Sequence, residues 1–280
     1  MLLNNWAIFP NIAAKVEAMS KVYWLSAIIL VLLFAACNST SEPAKNSEVA
    51  KQKPKAEQVD KPNAEKPKER WPKRGEIKEY FTEYGKANPE THVMLKTSFG
   101  NIELELFEDT PLHRANFIHH IKRGLYERTV FYRVAPDFVI QGGNSDHDKT
   151  KERRKKVDSY YIPNEVKPHH FHQKGALAAA MNYQNNPENN SSQYDWYIVI
   201  GKTFSADLLD ATAKEYNMDI PDDHRSVYIE KGGAPHLDGK HTVFGRVISG
   251  MDVVEEISKV RRDGSDWPFN DIIIDYEILD

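Results

Sequence analysis

The stretch Phe131–Gly143, reading Phe-Tyr-Arg-Val-Ala-Pro-Asp-Phe-Val-Ile-Gln-Gly-Gly, limits what this chain can become more than any other. Proline fixes φ and has no amide to give to a ladder, so Pro136-Asp137 has to turn the chain. Two short β-like runs are left on either side. If they pair, Arg133, Phe138 and Gln141 converge: a fixed cation, an aromatic wall and an amide. An unpartnered cation in an apolar strand pair is costly. Arg133 therefore either snorkels to water from an edge strand or serves a site.

The surrounding sequence offers more short strands than helices. Val93–Phe107 reads as a hairpin: Ile102, Leu104 and Leu106 alternate with Glu103 and Glu105 after a turn at 97–101, giving one wet face. A helix follows, with Thr110 as its cap, Pro111 at its first position and Gly124 at its end. Ala115, Ile118 and Ile121 would turn from it onto one mouth of the sheet. Gly175–Met181 is a strand of small residues, suited to close approach by a ligand. Further strands fall at Trp196–Ile200, Val243–Ile248 and Asp271–Leu279. Met251–Ser258 reads as a second helix with Val253, Val254 and Ile257 inward. About eight strands and two flanking helices favour a closed antiparallel barrel, which hides its edges. Two stretches interrupt that plan. Asn144–Asp158 reads as a solvated loop, basic from Lys151 to Lys156. Ser205–Ala234 is too long for a simple connection and carries a helical part, Ala206–Tyr216.

Phe-x-Arg-x-x-Pro-x-Phe-x-x-Gln-Gly-Gly resembles the signature of the cyclophilin family of peptidyl-prolyl cis-trans isomerases. A second block, Leu237-Asp238-Gly239-Lys240-His241-Thr242-Val243-Phe244-Gly245-Arg246-Val247, resembles another stretch of that family, and Asn116-Phe117 matches a family habit. The likeness runs from Val93 to Asp280. It implies a mainly β fold: a closed eight-stranded antiparallel barrel capped by two α-helices, with a packed interior and the site on its outer face. It implies an enzyme without a cofactor or metal, acting on proline-containing polypeptides.

By the same resemblance Arg133 is the catalytic residue. Phe138 and Val139 form the proline pocket, Gln141 holds a substrate carbonyl or orients Arg133, and Leu237 and His241 complete the pocket. The family's middle block reads differently here, as Ser192-Gln193-Tyr194-Asp195-Trp196-Tyr197. Either Trp196 and Tyr197 are its aromatic pair and Asp195 takes the glutamine's place, or Gln193 keeps its role and two residues bulge out. Both Gln193 and Trp196 therefore count as candidate substrate contacts. Met181 stands where the family often has asparagine or arginine. His236 replaces a tryptophan that binds cyclosporin in the family's best-known members, which puts drug binding in doubt.

The chain before the likeness is of another kind. Trp24–Ala36 is apolar apart from Ser26, too short to span a bilayer but of signal-peptide size. Ala35-Ala36-Cys37 resembles the end of a bacterial lipobox, with Phe34 as a departure. The expectation is an upstream extension over 1–18, a lipoprotein signal peptide over 19–36 and lipidation of Cys37. A disordered tether over 37–70 would follow, because its only large aliphatic residues are Val49 and Val59, then a short helical lead-in over 71–92. In that lead-in Ile77, Tyr80, Phe81 and Tyr84 share one helix face, fit to pack on the domain. The barrel domain would occupy 93–280, with 205–234 inserted. The protein is then expected at the cell envelope as a monomer facing the periplasm, its membrane contact made through Cys37. Asn38 favours the outer membrane over the inner.

Composition excludes several alternatives. One cysteine rules out intramolecular disulfides and cysteine-based zinc sites. A net charge of −4 gives no basic field for nucleic acid. His169-His170-x-His172 invites a metal reading, but three imidazoles so close in a loop cannot all face one ion. The competing function from another class is a proline-segment binding module or chaperone with little turnover.

Overall fold

The computed structural model describes residues 70–280. The described residues belong to one compact unit. The upstream extension, the signal peptide, Cys37 and all of the tether but Arg70 lie outside the described residues. Among the described residues, no helix is long and apolar enough to cross a membrane.

The expected first hairpin forms from β1 (His92–Thr97) and β2 (Gly100–Leu106), paired in register from His92↔Glu105 to Thr97↔Gly100. Its alternation holds, with Val93, Leu95, Ile102, Leu104 and Leu106 buried. The other long-range strands are β3 (Thr129–Val130), β4 (Arg133–Ala135), β5 (Val139–Gly142), β7 (Ala176–Ala179), β9 (Trp196–Val199), β10 (Val243–Ser249) and β11 (Ile273–Ile278). Together they make one antiparallel sheet in the order β3-β11-β1-β2-β10-β7-β9-β5-β4. Two further short strands, β6 (Tyr161–Ile162) and β8 (Ser191–Ser192), pair separately.

The two ends of that order are neighbours in sequence. β3 pairs with β11, β4 pairs with β5, and only Phe131 and Tyr132 separate them. Phe131 N–H donates to Ile272 and Tyr132 N–H donates to Gln141, so one run of chain changes partners as it crosses. The sheet is therefore curled, and the fold is mainly β as expected. Among the described residues the large sheet has nine strand segments where eight strands were expected, because the crossing run is split in two.

Inside the curl lies the main core, including Ile102, Leu104, Phe117, Phe131, Ile140, Leu177, Trp196, Ile198 and Phe244. On the opposite face of β4, β5, β7 and β9 a second apolar cluster forms around Ala135, Val139, Ala178, Tyr197 and Val199. A strand sends alternate side chains to opposite faces, so Val139 and Ile140, or Tyr197 and Ile198, part company at each step. β7 and β9 are buried on both faces.

The expected flanking helices are α2 (Pro111–Lys122) and α6 (Met251–Ile257). Thr110 makes no side-chain cap on α2. Its hydroxyl bonds Phe107 O instead, and the Glu165 carboxylate takes the amides of Leu112 and His113 at 3.1 and 3.0 Å. A carboxylate there satisfies free donors and suits the positive end of the helix. The lead-in helix α1 (Ile77–Ala87) packs as expected, burying Ile77 and Phe81 against Leu112 and Ala115 of α2.

The supposed solvated loop is more ordered than its charge suggests. It holds a helix, α3 (Asp148–Arg154), from which Arg154 donates to the carbonyls of Leu125 and Gly143 and lies 4.0 Å over the Tyr194 ring. Arg153 reaches Gly124 O and Glu127. Those guanidiniums satisfy carbonyls beyond the end of α2, a use that a run of Lys and Arg does not announce. The insertion contains α4 (Ala206–Tyr216), at the expected bounds, and a further helix, α5 (Asp222–Glu230).

Candidate active site

The site begins at the turn. Phe138 N–H bonds Ala135 O across Pro136-Asp137, and Asp137 takes φ 57°, a left-handed value that aspartate tolerates. This closes a hairpin in which Arg133 and Gln141 are direct partners, followed by Ala135↔Val139. Partners in register share a face, so a guanidinium, an amide and the second apolar cluster come to one side. The glycines after Gln141 have separate reasons. A Cβ on Gly142 would sit 2.8 Å from the Trp196 indole, and Gly143 has φ 109° with Tyr194 O where its Cβ would be.

Arg133 is one-third exposed. Among the described residues its guanidinium neighbours are Asp266, 3.5 Å from Nε, and the Phe138 ring, whose centroid is 5.8 Å from Cζ. Asp266 also faces Arg262 at 3.5 Å, so its charge is shared. Phe138 packs on the outer apolar cluster, where Val139 and Leu237 are buried with Ala176, Ala178 and Ala180. Those alanines come from the small-residue strand read at Gly175–Met181.

Gln141 donates to the Tyr132 hydroxyl, which donates to Asp195 Oδ1 at 3.2 Å. Burial raises the Asp195 carboxyl above the usual carboxylate range, while the Tyr132 bond opposes the rise. Asp195 is thus linked to Gln141 through Tyr132. The Gln193 side-chain amide donates to the Tyr194 hydroxyl at 3.1 Å, and its backbone carbonyl accepts from Asn116 Nδ2.

Trp196 also departs from expectation. It is 1% exposed, inside the main core, in edge-to-face contact with Phe117 and Phe131. The outer-face aromatic of β9 is its neighbour Tyr197, one residue on and so on the opposite side.

His241 stands beside this cluster, 5.7 Å from the Tyr197 ring. Its Nδ1–H donates to Ala179 O at 3.1 Å, and its Nε2 lies 2.7 Å from the Tyr183 hydroxyl, which can donate to it when the ring is neutral. Burial drives its pKa down from 6.5 to about 4, helped by charge on His172. Behind it runs a buried chain that the sequence did not show: Tyr228 to Asp238 at 2.6 Å, His172 to Asp238 at 2.8 Å, and Tyr197 to His172 at 3.0 Å. Tyr228 belongs to α5, so the insertion is bolted to the Leu237-Asp238-Gly239 block. At the other edge His236 stacks on Phe138 at 5.3 Å and Tyr216 of α4 lies 5.3 Å from His236. Tyr216 of the insertion thus extends the aromatic row of Phe138 and His236.

The buried histidines set an acid sensitivity. His241 titrates near 4 and His119, desolvated in α2, near 3 in the fold, while an unfolded histidine titrates near 6.5. Between those values the unfolded chain binds protons that the fold refuses. Stability is therefore full above about pH 6.5 and declines as pH falls towards 4. At about 1.4 kcal/mol per unit, His241 alone costs about 2 kcal/mol by pH 5. Urea midpoints at pH 7.5 and pH 5 check this, and an equal or higher midpoint at pH 5 contradicts it.

An arginine and an amide thus lie opposite each other beside an apolar cluster on the outer face of a curled antiparallel sheet. The profile of the family described as "Cyclophilin type peptidyl-prolyl cis-trans isomerase/CLD" matches residues 92–277. The chain belongs to the cyclophilin-type peptidyl-prolyl cis-trans isomerases. A Staphylococcus aureus protein named as a peptidyl-prolyl cis-trans isomerase is 33% identical over 187 residues, covering 66% of this chain and 90% of that one. Its Staphylococcus epidermidis counterpart is 32% identical over 201 residues, covering 70% and 97%. A crystal structure of a Cryptosporidium parvum cyclophilin type peptidyl-prolyl cis-trans isomerase is similar with TM-score 0.49 and 22% identity, covering 68% of this chain and 98% of that one.

Proposed function

We propose that this enzyme rotates Xaa-Pro bonds of polypeptides on the outer face of its sheet, with Arg133 as the catalytic group. The observation that carries the reading is the Arg133↔Gln141 register pair beside Phe138. Rotation about an Xaa-Pro bond faces a barrier of about 20 kcal/mol because the amide has double-bond character. No nucleophile or proton transfer is needed; whatever binds the twisted amide better than the planar forms lowers the barrier. As the bond twists, the prolyl nitrogen regains its lone pair. A guanidinium is always charged and can donate to that nitrogen only then.

Phe138, Val139 and Leu237 hold the proline ring. Tyr197 backs the pocket through its bond to His172, and neutral His241 lies at its edge. Gln141, held by Tyr132 and Asp195, takes a substrate carbonyl or steadies the guanidinium. Trp196 and Gln193 act from the interior and from the α2 side, through packing. An isomerisation assay with a proline peptide, run beside a peptide-affinity measurement, tests the reading. Saturable binding with no turnover would instead make the chain a holding module.

We further propose that the enzyme assists folding at the cell envelope, tethered through a lipid on Cys37. Support comes from the apolar run Trp24–Ala36 ending at the single cysteine and from the Pro- and charge-rich stretch that follows. Acylation supplies what such a chain needs for membrane attachment. Cys37→Ser is expected to keep isomerase activity and to move the protein from the membrane pellet to the soluble fraction. Continued pelleting would point to a different tether.

A further inference from the structure

His169, His170 and Asp109 meet on the surface, on segments that carry neither Arg133 nor Phe138. Asp109 lies between β2 and α2; the two histidines lie in the segment leading to β7. His169 Nε2 donates to Asp109 Oδ2 at 2.8 Å, and His170 Nε2 donates to Oδ1 at 2.7 Å. One ligand atom from each of the three lies within 4.8 Å of the other two. His172, the third imidazole of the sequence cluster, faces the other way, onto Asp238 and Tyr197. The sequence objection to three imidazoles on one ion therefore does not apply. Two imidazoles and a carboxylate from 60 residues away form the cluster instead.

We propose that Asp109, His169 and His170 form a three-ligand site for a borderline divalent metal ion, Zn2+ above all, with water completing the coordination. Bonds of about 2.0–2.2 Å in a tetrahedron set ligand atoms about 3.3 Å apart, so the present contacts need to open by only about half an ångström. To ligate, each Nε2 gives up the proton it now shares with Asp109, to its own Nδ1 or to water, and the freed lone pair faces the ion. The His170 ring is already oriented, stacked on Phe107 at 3.9 Å. The backbone turns just before it, where His170 N–H bonds Lys167 O. An open cleft bordered by His92, Glu105, Glu108, Asp109 and His170 lies alongside. It admits water, and its carboxylates favour a cation. Two nitrogens and one oxygen suit Zn2+, Cu2+ or Ni2+, whereas Mg2+ and Ca2+ prefer oxygen alone. Once bound, the ion ties the segment before β7 to the start of α2, beside Phe107, which packs on the outer apolar cluster.

The test is calorimetric titration of the chelator-stripped full chain with ZnCl2, and separately with MgCl2. The expected result is one Zn2+ per chain, no comparable Mg2+ binding, and a melting temperature that rises with Zn2+ because only the fold binds it. Loss of an outer-shell partner alone costs about 10–100-fold in metal affinity. Asp109→Asn and His170→Gln, which change ligands, should each weaken binding at least that much, while His147→Gln should leave it unchanged. Circular dichroism verifies that the variants fold. Co2+ bound to the unaltered chain provides a readout that needs no variant: its visible spectrum should show nitrogen ligation. Undiminished Zn2+ binding in either ligand variant, equal binding of Mg2+, no saturable binding, or a Co2+ spectrum of the free aqua ion overturns the proposal.

Discussion

Arg133→Ala is expected to slow prolyl isomerisation about a hundredfold while leaving peptide affinity nearly intact. A charged donor in a partly desolvated site contributes about 3 kcal/mol to a transition state, which is roughly two orders of magnitude in rate. The contact with the prolyl nitrogen exists mainly while the amide is twisted, so its loss falls on the rate rather than on ground-state binding. Arg133→Lys should recover little, because an ammonium lacks the planar fork and is more tightly hydrated. Folding should be preserved: the side chain is one-third exposed and its ion pair with Asp266 spans 3.5 Å. Phe138→Ala offers the contrast, since a pocket wall touches substrate and transition state alike and its removal weakens affinity together with rate. Near-normal isomerisation by Arg133→Ala, or a matching loss of affinity and rate, would remove Arg133 from the catalytic role.

Trp196→Ala should instead be a stability mutation, costing about 3–5 kcal/mol, the range for truncating a large aromatic in a packed core. The indole fills the inside of the curled sheet against Phe117, Phe131 and the bare Cα of Gly142. That loss is a large part of a domain's net stability, so Trp196→Phe serves as the milder variant that stays folded. Denaturant titration should show a lower midpoint for Trp196→Phe, and the folded protein should bind proline peptide as the unaltered chain does. Weakened peptide binding with an unchanged midpoint would return Trp196 to the pocket.

Much of this enzyme was legible before any coordinates. The turn at Pro136-Asp137 is local chemistry, and it dictates that Arg133, Phe138 and Gln141 meet. The hairpin β1–β2 follows from alternation with one wet face, and α4 keeps the bounds Ala206–Tyr216 read from the sequence. The family was legible too, because its two signature blocks lie on the strands and turn that form the pocket.

What the tertiary structure decided falls where local pattern is silent. β9 is buried on both faces, so Trp196-Tyr197-Ile198-Val199 carries no alternation of polarity to show which aromatic looks outward. Asp195 is tied to Gln141 through Tyr132, 63 residues earlier, a partner that its own sequence neighbours do not indicate. Glu165 caps α2 from a distant segment in place of adjacent Thr110, and Asp109 gathers His169 and His170 but not His172. A residue's own sequence neighbours determine its backbone preferences and its period. Its partner across the fold is set by closure of the sheet, which brings together segments that no local pattern relates.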